Sequence, residues 1–320
     1  MEYRNLGKTG LKVSALCMGT MQFGWSVNEA DTQRILSRTY EAGINFIDTA
    51  DVYSRWVDGN PGGVAEKYLG RWRKQAKVPR DRLVIATKVR GKMGDGPNDE
   101  GLSRVHIMRA VESSLQRLGT DFIDLYQTHW PDNDVPIEET LRAMDDLVSQ
   151  GKVRYIGASN YKAWELMQAL WASDKLNLAR FDSLQPHYNL IKREEFEREL
   201  LAVCENYDIG VIPYSPLEGG FLTGKYRRNT SLPESLRAEG RQKYMTEHNF
   251  VVLDKLDKIA AEHQASVTQV SLAWLLADPV ITSPIIGATS LEQLDENLGA
   301  LDVKLTGEEK QTLDELTTWK

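Results

Sequence analysis

The chain has 320 residues, 41% of them hydrophobic, and carries a formal net charge of −7 at pH 7. A chain of this length can bury a large core, either as one α/β barrel or as two smaller domains. Its acidity argues against a nucleic-acid partner, because proteins that bind the phosphate backbone present a basic surface. Two cysteines, Cys17 and Cys204, are typical of a reducing compartment. The first residues lack the apolar core of a signal peptide, and no stretch approaches the ~20 apolar residues of a membrane span, so we expect a cytoplasmic protein with no membrane partner.

Short apolar runs alternate with helical patterns along the chain. A hairpin is predicted around Gly10, and eight strands follow at residues 15–18, 45–47, 83–87, 122–127, 155–158, 183–185, 210–213 and 283–286. Helical patterns lie at residues 29–42, 63–73, 104–118, 137–150, 163–173, 194–207, 267–276, 292–298 and 307–316. Eight strand–helix alternations predict a closed (β/α)8 TIM barrel. No composition shift marks a linker, so we predict a single domain over residues 1–320.

Three segments interrupt the short loops of this pattern, at residues 55–62, 90–101 and 218–248. The third is far longer than the usual two to six residues of a strand–helix loop, and it contains Arg227, Arg228 and Arg241. All three segments follow strands, so we expect them to rise over the barrel mouth as lids or pocket walls. For the first two, the alternative is a mobile surface insertion.

Four polar residues, Asp48, Tyr53, Lys88 and His129, follow apolar runs that read as buried strands. At the carboxyl ends of successive strands in a parallel barrel, such side chains converge on one mouth. A tyrosine titrates near ~10, and a nearby cation lowers that pKa, so this grouping is suited to proton transfer. Taken singly, each has an ordinary structural explanation: a loop aromatic, a partly buried histidine, or a structural ion pair.

The quartet resembles the catalytic tetrad of the aldo-keto reductases, and the resemblance runs nearly end to end. The matching segments are residues 19–20, 46–53, 86–88, 113–119, 124–131, 151–160, 185–189, 214–217, 222–225 and 286–289. The resemblance implies that Tyr53 acts as general acid toward a small carbonyl substrate, or as base toward an alcohol. It also implies that Lys88, held by Asp48, lowers the tyrosine pKa toward physiological pH. His129 would direct the carbonyl oxygen and stabilise the developing alkoxide.

The resemblance further implies a nicotinamide cofactor. Ser159, Asn160 and Gln185 end two strands and can hydrogen-bond a carboxamide, while Tyr214 offers a flat face for ring stacking. No Gly-x-Gly-x-x-Gly follows a strand, so a Rossmann domain is not supported. The full set of expected cofactor-binding residues is Gly19, Thr20, Met21, Asp48, Ser159, Asn160, Gln185, Tyr214, Ser215, Pro216, Leu217, Gly219, Lys225, Gly287, Thr289, Gln293 and Asn297.

The segment after strand eight departs from the pattern of many family members, which bind the adenosine 2′-phosphate there with a lysine and an arginine. Gly287 and Gln293 occupy those places here, with Thr289 and Asn297 nearby. Residues 286–293 are more similar to bacterial members related to the potassium-channel β-subunits, which commonly use NADP(H). We therefore favour NADP(H), keep NAD(H) as the alternative, and expect Thr289, the backbone near residue 288 or an arginine of the long loop to supply replacement donors.

Substrate-facing candidates are Met21, Trp25, Trp56 and Trp130, although each tryptophan alone is also explained as a packing residue. The long C-terminal loop that narrows the pocket of the mammalian reductases is missing from the pattern, which predicts an open mouth. We predict no metal site, and the sequence leaves the oligomeric state open.

Two other functions remain open at this stage. One is an NADP(H)-binding regulatory subunit with slow turnover, like the channel-associated members of the family. The other is a Schiff-base aldolase built on Lys88. The second is disfavoured because Asp48 would keep the amine protonated, whereas such a nucleophile needs a lowered pKa.

Overall fold

The computed structural model describes residues 1–233 and 238–319. Its centre is a parallel barrel, preceded by an antiparallel hairpin of β1 and β2. The strands are β1 Tyr3–Asn5, β2 Lys12–Ser14, β3 Cys17–Gly19, β4 Phe46–Asp48, β5 Val84–Val89, β6 Ile123–Thr128, β7 Val153–Ser159, β8 Phe181–Gln185, β9 Gly210–Val211 and β10 Ile285–Ile286. The predicted (β/α)8 fold and its N-terminal hairpin are confirmed.

The eight barrel strands lie in the order β10-β3-β4-β5-β6-β7-β8-β9, so neighbours in the chain are neighbours in the sheet. The two outer strands meet and close the barrel. The Thr282 amide donates to the Val211 carbonyl at 2.8 Å, and the Ile285 amide donates to the Pro213 carbonyl at 2.9 Å. Parallel register aligns the carboxyl ends, for instance Gly19 with Asp48. Polar residues that end different strands therefore lie on one rim.

The hairpin closes the opposite end of the barrel. Its residues Leu6 and Val13 are fully buried and pack with inward-facing side chains of the strands, including Phe46, Val84 and Ile212. Gly7 lies at a φ of +53°, and a Cβ there would come within 2.6 Å of the Gly210 amide nitrogen. A glycine is therefore needed where the hairpin meets the barrel.

Helices surround the barrel. They are α1 Glu29–Glu41, α2 Val64–Gln75, α3 Arg104–Leu118, α4 Ile137–Ser149, α5 Ala163–Leu176, α6 Leu201–Tyr207, α7 Ala238–Arg241, α8 Glu247–Glu262, α9 Val267–Leu276, α10 Leu291–Leu298 and α11 Gly307–Leu316. Short 3-10 helices lie at Arg80–Arg82, Glu218–Thr223, Gln242–Tyr244 and Gly299–Leu301, and a π-helix lies at Phe196–Leu200. Among the described residues, no helix is both long and apolar enough to cross a membrane.

The structure differs from the sequence prediction mainly between β9 and α9. Helix α8 was not predicted, although Thr246 caps its first turn and Phe250, Leu253 and Leu256 form its buried face. The single helix predicted at residues 194–207 is instead a π-helix followed by α6. The long segment predicted at residues 218–248 contains three short helices, and its residues 234–237 lie outside the described part of the chain.

Candidate active site

A buried ammonium lies at the centre of the barrel mouth. Lys88, near the carboxyl end of β5, is 0% exposed. Its Nζ donates to Asp48 Oδ1 at 2.5 Å, to the Thr49 carbonyl at 2.9 Å and to Tyr53 Oη at 2.9 Å. An ammonium has three protons, so every one of them has an acceptor. The structure thus brings three members of the predicted quartet into direct contact.

Asp48 ends β4 and is equally enclosed. Its second oxygen, Oδ2, accepts from Gln127 Nε2 at 3.1 Å and from Gln185 Nε2 at 2.9 Å. A buried ion pair is stable only when its remaining hydrogen-bonding positions are filled, and here both oxygens of the carboxylate are bound. Gln127 was not predicted as a site residue. Its one signal in the sequence is a polar amide near the end of an apolar strand.

The charge of Lys88 is fixed by these neighbours. Burial alone lowers the pKa of the lysine, but the Asp48 carboxylate and Tyr53 outweigh burial and raise that pKa above its ordinary value. Lys88 therefore stays protonated at neutral pH. A lysine that attacks carbonyls must lose its proton, so the arrangement argues against the aldolase alternative.

The pKa of Tyr53 corrects an expectation from the sequence. Lys88 does act to lower it, but burial has the larger effect and raises the pKa of Tyr53 to about 12. The sequence showed the neighbouring cation and not the depth of the phenol, which is 9% exposed. At neutral pH Tyr53 is therefore a protonated phenol that can donate its proton.

His129 lies one residue beyond β6, with its ring centroid 5.9 Å from that of Tyr53. Burial and then the charges of Lys88 and Arg90 hold the pKa of His129 well below its usual range, so the imidazole is neutral. Its Nδ1 is buried and has no hydrogen-bond partner among the described residues. A neutral imidazole in this position has one N–H to donate to an oxygen bound near Tyr53.

A cavity of about 560 Å³ opens in front of this group. Every residue of the predicted cofactor-binding set lines it, as do Tyr53, His129 and Trp130. Lys88 does not line it, since it lies behind Asp48 and Tyr53. The wall also includes residues that the sequence analysis did not identify, namely Gln22, Gly220, Thr223, Thr268, Ile285, Ile286 and Glu296.

The ends of β7 and β8 supply amides to the cavity. Asn160 Nδ2 donates to the His129 carbonyl at 2.9 Å and to Ser159 Oγ at 3.0 Å, which occupies both of its protons. Gln185 Nε2 likewise donates both of its protons, one to Asp48 Oδ2 and one to Gln127 Oε1 at 3.3 Å. What remains on both amides is acceptor capacity on their oxygens. These oxygens suit the NH₂ group of a carboxamide, so the donors and acceptors present fit a nicotinamide.

Tyr214 forms a flat part of the wall next to these amides. Its hydroxyl donates to Asn160 Oδ1 at 2.9 Å, and its ring stacks on His187 with centroids 5.0 Å apart. Both contacts fix the orientation of the ring. A fixed aromatic face is the feature that a stacked nicotinamide needs.

Behind the 215–220 turn lies a polar network that the sequence analysis missed. Glu218 is 1% exposed. Its Oε2 accepts from Asn189 Nδ2 at 2.8 Å and lies 2.7 Å from His187 Nε2, and its Oε1 accepts from Arg241 Nη1 at 2.7 Å. Burial would raise the pKa of Glu218, but His187 and Asn189 outweigh it and lower that pKa to about 2. The carboxylate thus ties the turn that carries Ser215 to residues 187, 189 and 241.

The residues expected to bind the 2′-phosphate fall into two groups: those after β10 line the cavity, and the arginines of the long loop do not. Gln293 Oε1 accepts from the amide and the hydroxyl of Thr289, both at 3.0 Å, and Asn297 Nδ2 donates to the Gly287 carbonyl at 3.2 Å. The three arginines that the sequence offered are each paired with carboxylates and do not line the cavity: Arg227 with Asp257, Arg228 with Glu247 and Asp254, and Arg241 with Glu218.

The substrate-facing candidates divide into two groups. Met21 and Trp130 line the cavity, and the Trp130 ring stacks on His129 at 3.8 Å. Trp25 and Trp56 lie outside its wall but contact each other at 5.7 Å, and Trp56 lies 6.4 Å from the Tyr53 ring. Trp56 is 48% exposed and Trp130 is 39% exposed, so the aromatic rim is open to solvent.

No group of three or more His, Cys, Asp and Glu side chains within residues 1–233 and 238–319 is placed to hold a metal ion.

Known proteins are similar to this chain over most of its length. The model of the "Aldo/keto reductase family" matches residues 15–318. An "Uncharacterized oxidoreductase YrpG" from Bacillus subtilis is 38% identical over 321 residues, which cover 99% of this chain and 96% of its own. Versiconal hemiacetal acetate reductase from Aspergillus parasiticus is 36% identical, with 98% and 96% covered. A probable voltage-gated potassium channel subunit beta from Arabidopsis thaliana is 38% identical, with 95% and 92% covered.

Proposed function

Because the chain belongs to the aldo/keto reductase family, we propose that it is an NADP(H)-dependent oxidoreductase that reduces aldehydes and ketones to alcohols. Membership supports an oxidoreductase of carbonyl compounds, and the cofactor and the roles of the residues are our proposal. The observation that carries it is the 2.9 Å contact between the buried Lys88 Nζ and Tyr53 Oη, because Tyr53 and His129 line the same cavity.

Tyr53 is proposed as the general acid. Its phenol is protonated at neutral pH and faces the cavity, so it can give a proton to a carbonyl oxygen that becomes an alkoxide. When the proton leaves, the phenolate forms beside the Lys88 ammonium, and this charge stabilises it. Asp48 holds the ammonium in place through Oδ1.

His129 is proposed to orient the carbonyl. Its neutral ring lies 5.9 Å from the Tyr53 ring, so one oxygen atom can receive hydrogen bonds from both side chains. A donor that is already in position stabilises the negative charge developing on that oxygen without reorganisation. Tyr53 then completes the protonation.

Ser159, Asn160, Gln185 and Tyr214 are proposed to hold the nicotinamide ring, which supplies the hydride when bound. The remaining acceptor capacity of the two amide oxygens and the fixed Tyr214 face support this assignment. The turn at Ser215, Pro216, Leu217 and Gly219, with Lys225, is proposed to hold the pyrophosphate. Glycines there let the backbone approach a ligand closely.

The test is consumption of NADPH at 340 nm with a panel of aldehydes and ketones, with NADH in parallel. We expect turnover that depends on the carbonyl compound, and Tyr53→Phe serves as the matched control because it removes only the acidic hydroxyl. A wild-type protein that binds NADPH but turns over no member of a broad panel would contradict the proposal.

Binding of NADPH without turnover is the result expected of the alternative, a regulatory subunit. The similarity to probable or putative channel β-subunits from Arabidopsis thaliana and Schizosaccharomyces pombe supports this alternative. There, cofactor occupancy would be the signal and turnover would be slow. The cytoplasmic location and the single domain over residues 1–320 stay predictions.

A further inference from the structure

Arg90 lies next to His129 on the barrel rim. The register of β5 and β6 pairs Val89 with Thr128, so the next residues along the two strands are Arg90 and His129. The His129 amide also donates to the Val89 carbonyl at 2.9 Å. Adjacent strands run about 5 Å apart, so the backbones of Arg90 and His129 lie about one strand spacing from each other. The charge of Arg90 is near enough to help lower the pKa of His129.

The position of Arg90 around the barrel places it away from the proposed cofactor residues. Strand β6 has β5 on one side and β7 on the other. Ser159, Asn160 and the later cofactor residues follow from β7 onward, whereas Arg90 extends from β5 and Tyr53 from the loop after β4. Neither Arg90 nor Arg55 lines the cavity of about 560 Å³. A substrate bound by Tyr53 and His129 reaches Arg90 only if it extends past them, over the end of β5.

Among the described residues, the guanidinium of Arg90 has neither a hydrogen-bond partner nor an ion-pair partner. Its Nε is buried without a hydrogen bond, and no carboxylate in residues 1–233 and 238–319 forms an ion pair with it. Its backbone is held, since the Arg90 carbonyl accepts from the Gly101 amide at 3.0 Å, at a φ of +119° that side chains rarely adopt. A partly buried charge without a partner is costly, and strained backbone of this kind clusters at ligand sites.

A second cation approaches from the neighbouring loop. Arg55, two residues after Tyr53, donates through Nη1 to the Lys92 carbonyl and, within the described chain, has no carboxylate partner. This contact joins the loops that follow β4 and β5. Two guanidinium groups thus belong to the same side of the mouth, in a protein whose formal net charge is −7.

Building on the function proposed above, we infer that Arg90 is a specificity residue that binds a carboxylate carried by the carbonyl substrate. The preferred substrates are then aldehydes or ketones with a second, anionic end. A guanidinium presents paired N–H donors that match the two oxygens of a carboxylate, so it fixes the orientation of the substrate as well as attracting it. Arg55 adds a second positive charge to the same region.

The experiment compares 4-carboxybenzaldehyde with 4-carbamoylbenzaldehyde, which has nearly the same shape and no charge. We expect the wild-type protein to have the higher kcat/KM for the carboxylate. Arg90→Met should lower that kcat/KM about ten- to a hundredfold, mainly through KM, because a hydrogen bond between charged groups is lost. The kcat/KM for the amide should stay within about twofold, and Arg90→Lys should keep part of the preference.

Arg82→Met is the matched control, because it removes the same charge from an exposed residue just before the opposite end of β5. This substitution should leave kcat/KM unchanged for both aldehydes. A ratio of the two kcat/KM values that is the same in the wild type and in Arg90→Met overturns the inference.

If Arg90→Met fails to bind NADPH, inhibition of the wild type decides the question: benzoate must inhibit more strongly than benzamide, and equal inhibition overturns the inference. Failure of the proposed function looks different, since the wild type would then reduce neither aldehyde.

Discussion

Lys88 Nζ donates to Tyr53 Oη at 2.9 Å, and no part of the lysine side chain reaches solvent. The contact has a direction: the ammonium donates, so the phenol oxygen is an acceptor and its own proton is left free for another group. Within the proposed mechanism, the lysine therefore acts on the phenolate that remains after proton transfer and not on the substrate.

Replacing Lys88 by methionine should abolish most of the activity, although Tyr53 still carries its proton. The charge that lowers the phenol pKa would be lost, and burial alone would raise the pKa further. Asp48→Asn should lose less activity, because the asparagine amide oxygen still accepts a hydrogen bond from Lys88 Nζ. Steady-state rates of both variants with one aldehyde are the measurement. Unchanged rate and pH profile in Lys88→Met would show that this ammonium does not tune the phenol.

Tyr53→Phe should reduce kcat by about 10²–10⁴, the usual contribution of a general acid. The variant keeps the ring that contacts His129 and Trp56, so NADPH affinity measured by tryptophan quenching should change by only a few fold. Near-normal kcat in this variant would remove Tyr53 from its proposed role.

The pH dependence follows from the pKa of about 12 for Tyr53 in the cofactor-free protein. Because this pKa is raised above the ordinary value of 10.0, the phenol keeps its proton through neutral pH and loses it only as pH rises toward that value. The kcat/KM for reduction should therefore be flat between pH 7 and 9, whereas alcohol oxidation should speed up with pH. His129, whose pKa is lowered, adds no transition in this interval. A fall in reduction centred near pH 8 would contradict this assignment.

Cofactor preference should be measurable but modest. With no lysine at 287 and no arginine at 293, we expect NADPH to bind about ten- to a hundredfold more tightly than NADH, or roughly 1.4–2.8 kcal/mol. Gly287→Lys and Gln293→Arg should each widen the gap by adding a charged phosphate contact. The first is the cleaner change, because a Cβ at 287 meets no atom within 4 Å, whereas Gln293 loses its bonds to Thr289. Equal affinities in quenching titrations, or tighter NADH, would mean that the specificity has switched.

Glu218 should stabilise the fold through its ionised form. Its pKa falls from 4.5 to about 2 in the native state, so the stabilisation is complete above 4.5 and is lost as pH falls toward 2. Glu218→Gln should lower the free energy of unfolding by about 3 kcal/mol at pH 7, and by less at pH 3. Urea unfolding at pH 7 and at pH 3 measures this change in the free energy of unfolding, and the substitution Glu247→Gln at an exposed position is the control. A difference that is the same at pH 3 and pH 7 would contradict the charge-based explanation.

The proton-transfer residues could be located from the sequence because each follows an apolar run, and parallel strands carry such positions to one rim. Their pKa values could not be predicted from the sequence, since the burial of Tyr53 depends on packing by residues far along the chain. Glu218 escaped prediction for a related reason: its partners at 187, 189 and 241 meet it only in the folded chain. Helix α8 was overlooked because its apolar face follows directly on a long irregular segment.

The strands of the barrel differ in length, and therefore in the number of backbone hydrogen bonds that join them to their neighbours. Strands β5, β6 and β7 contain six or seven residues each, whereas β9 and β10 contain two. Local opening costs least where few backbone bonds and contacts must break, so we expect opening to occur first along the seam between β9 and β10. That seam borders the side of the cavity formed by Tyr214 and Gly287. We therefore expect a long ligand to enter and leave by fluctuation of this seam, while β5, which carries Lys88, and β6, which precedes His129, stay closed.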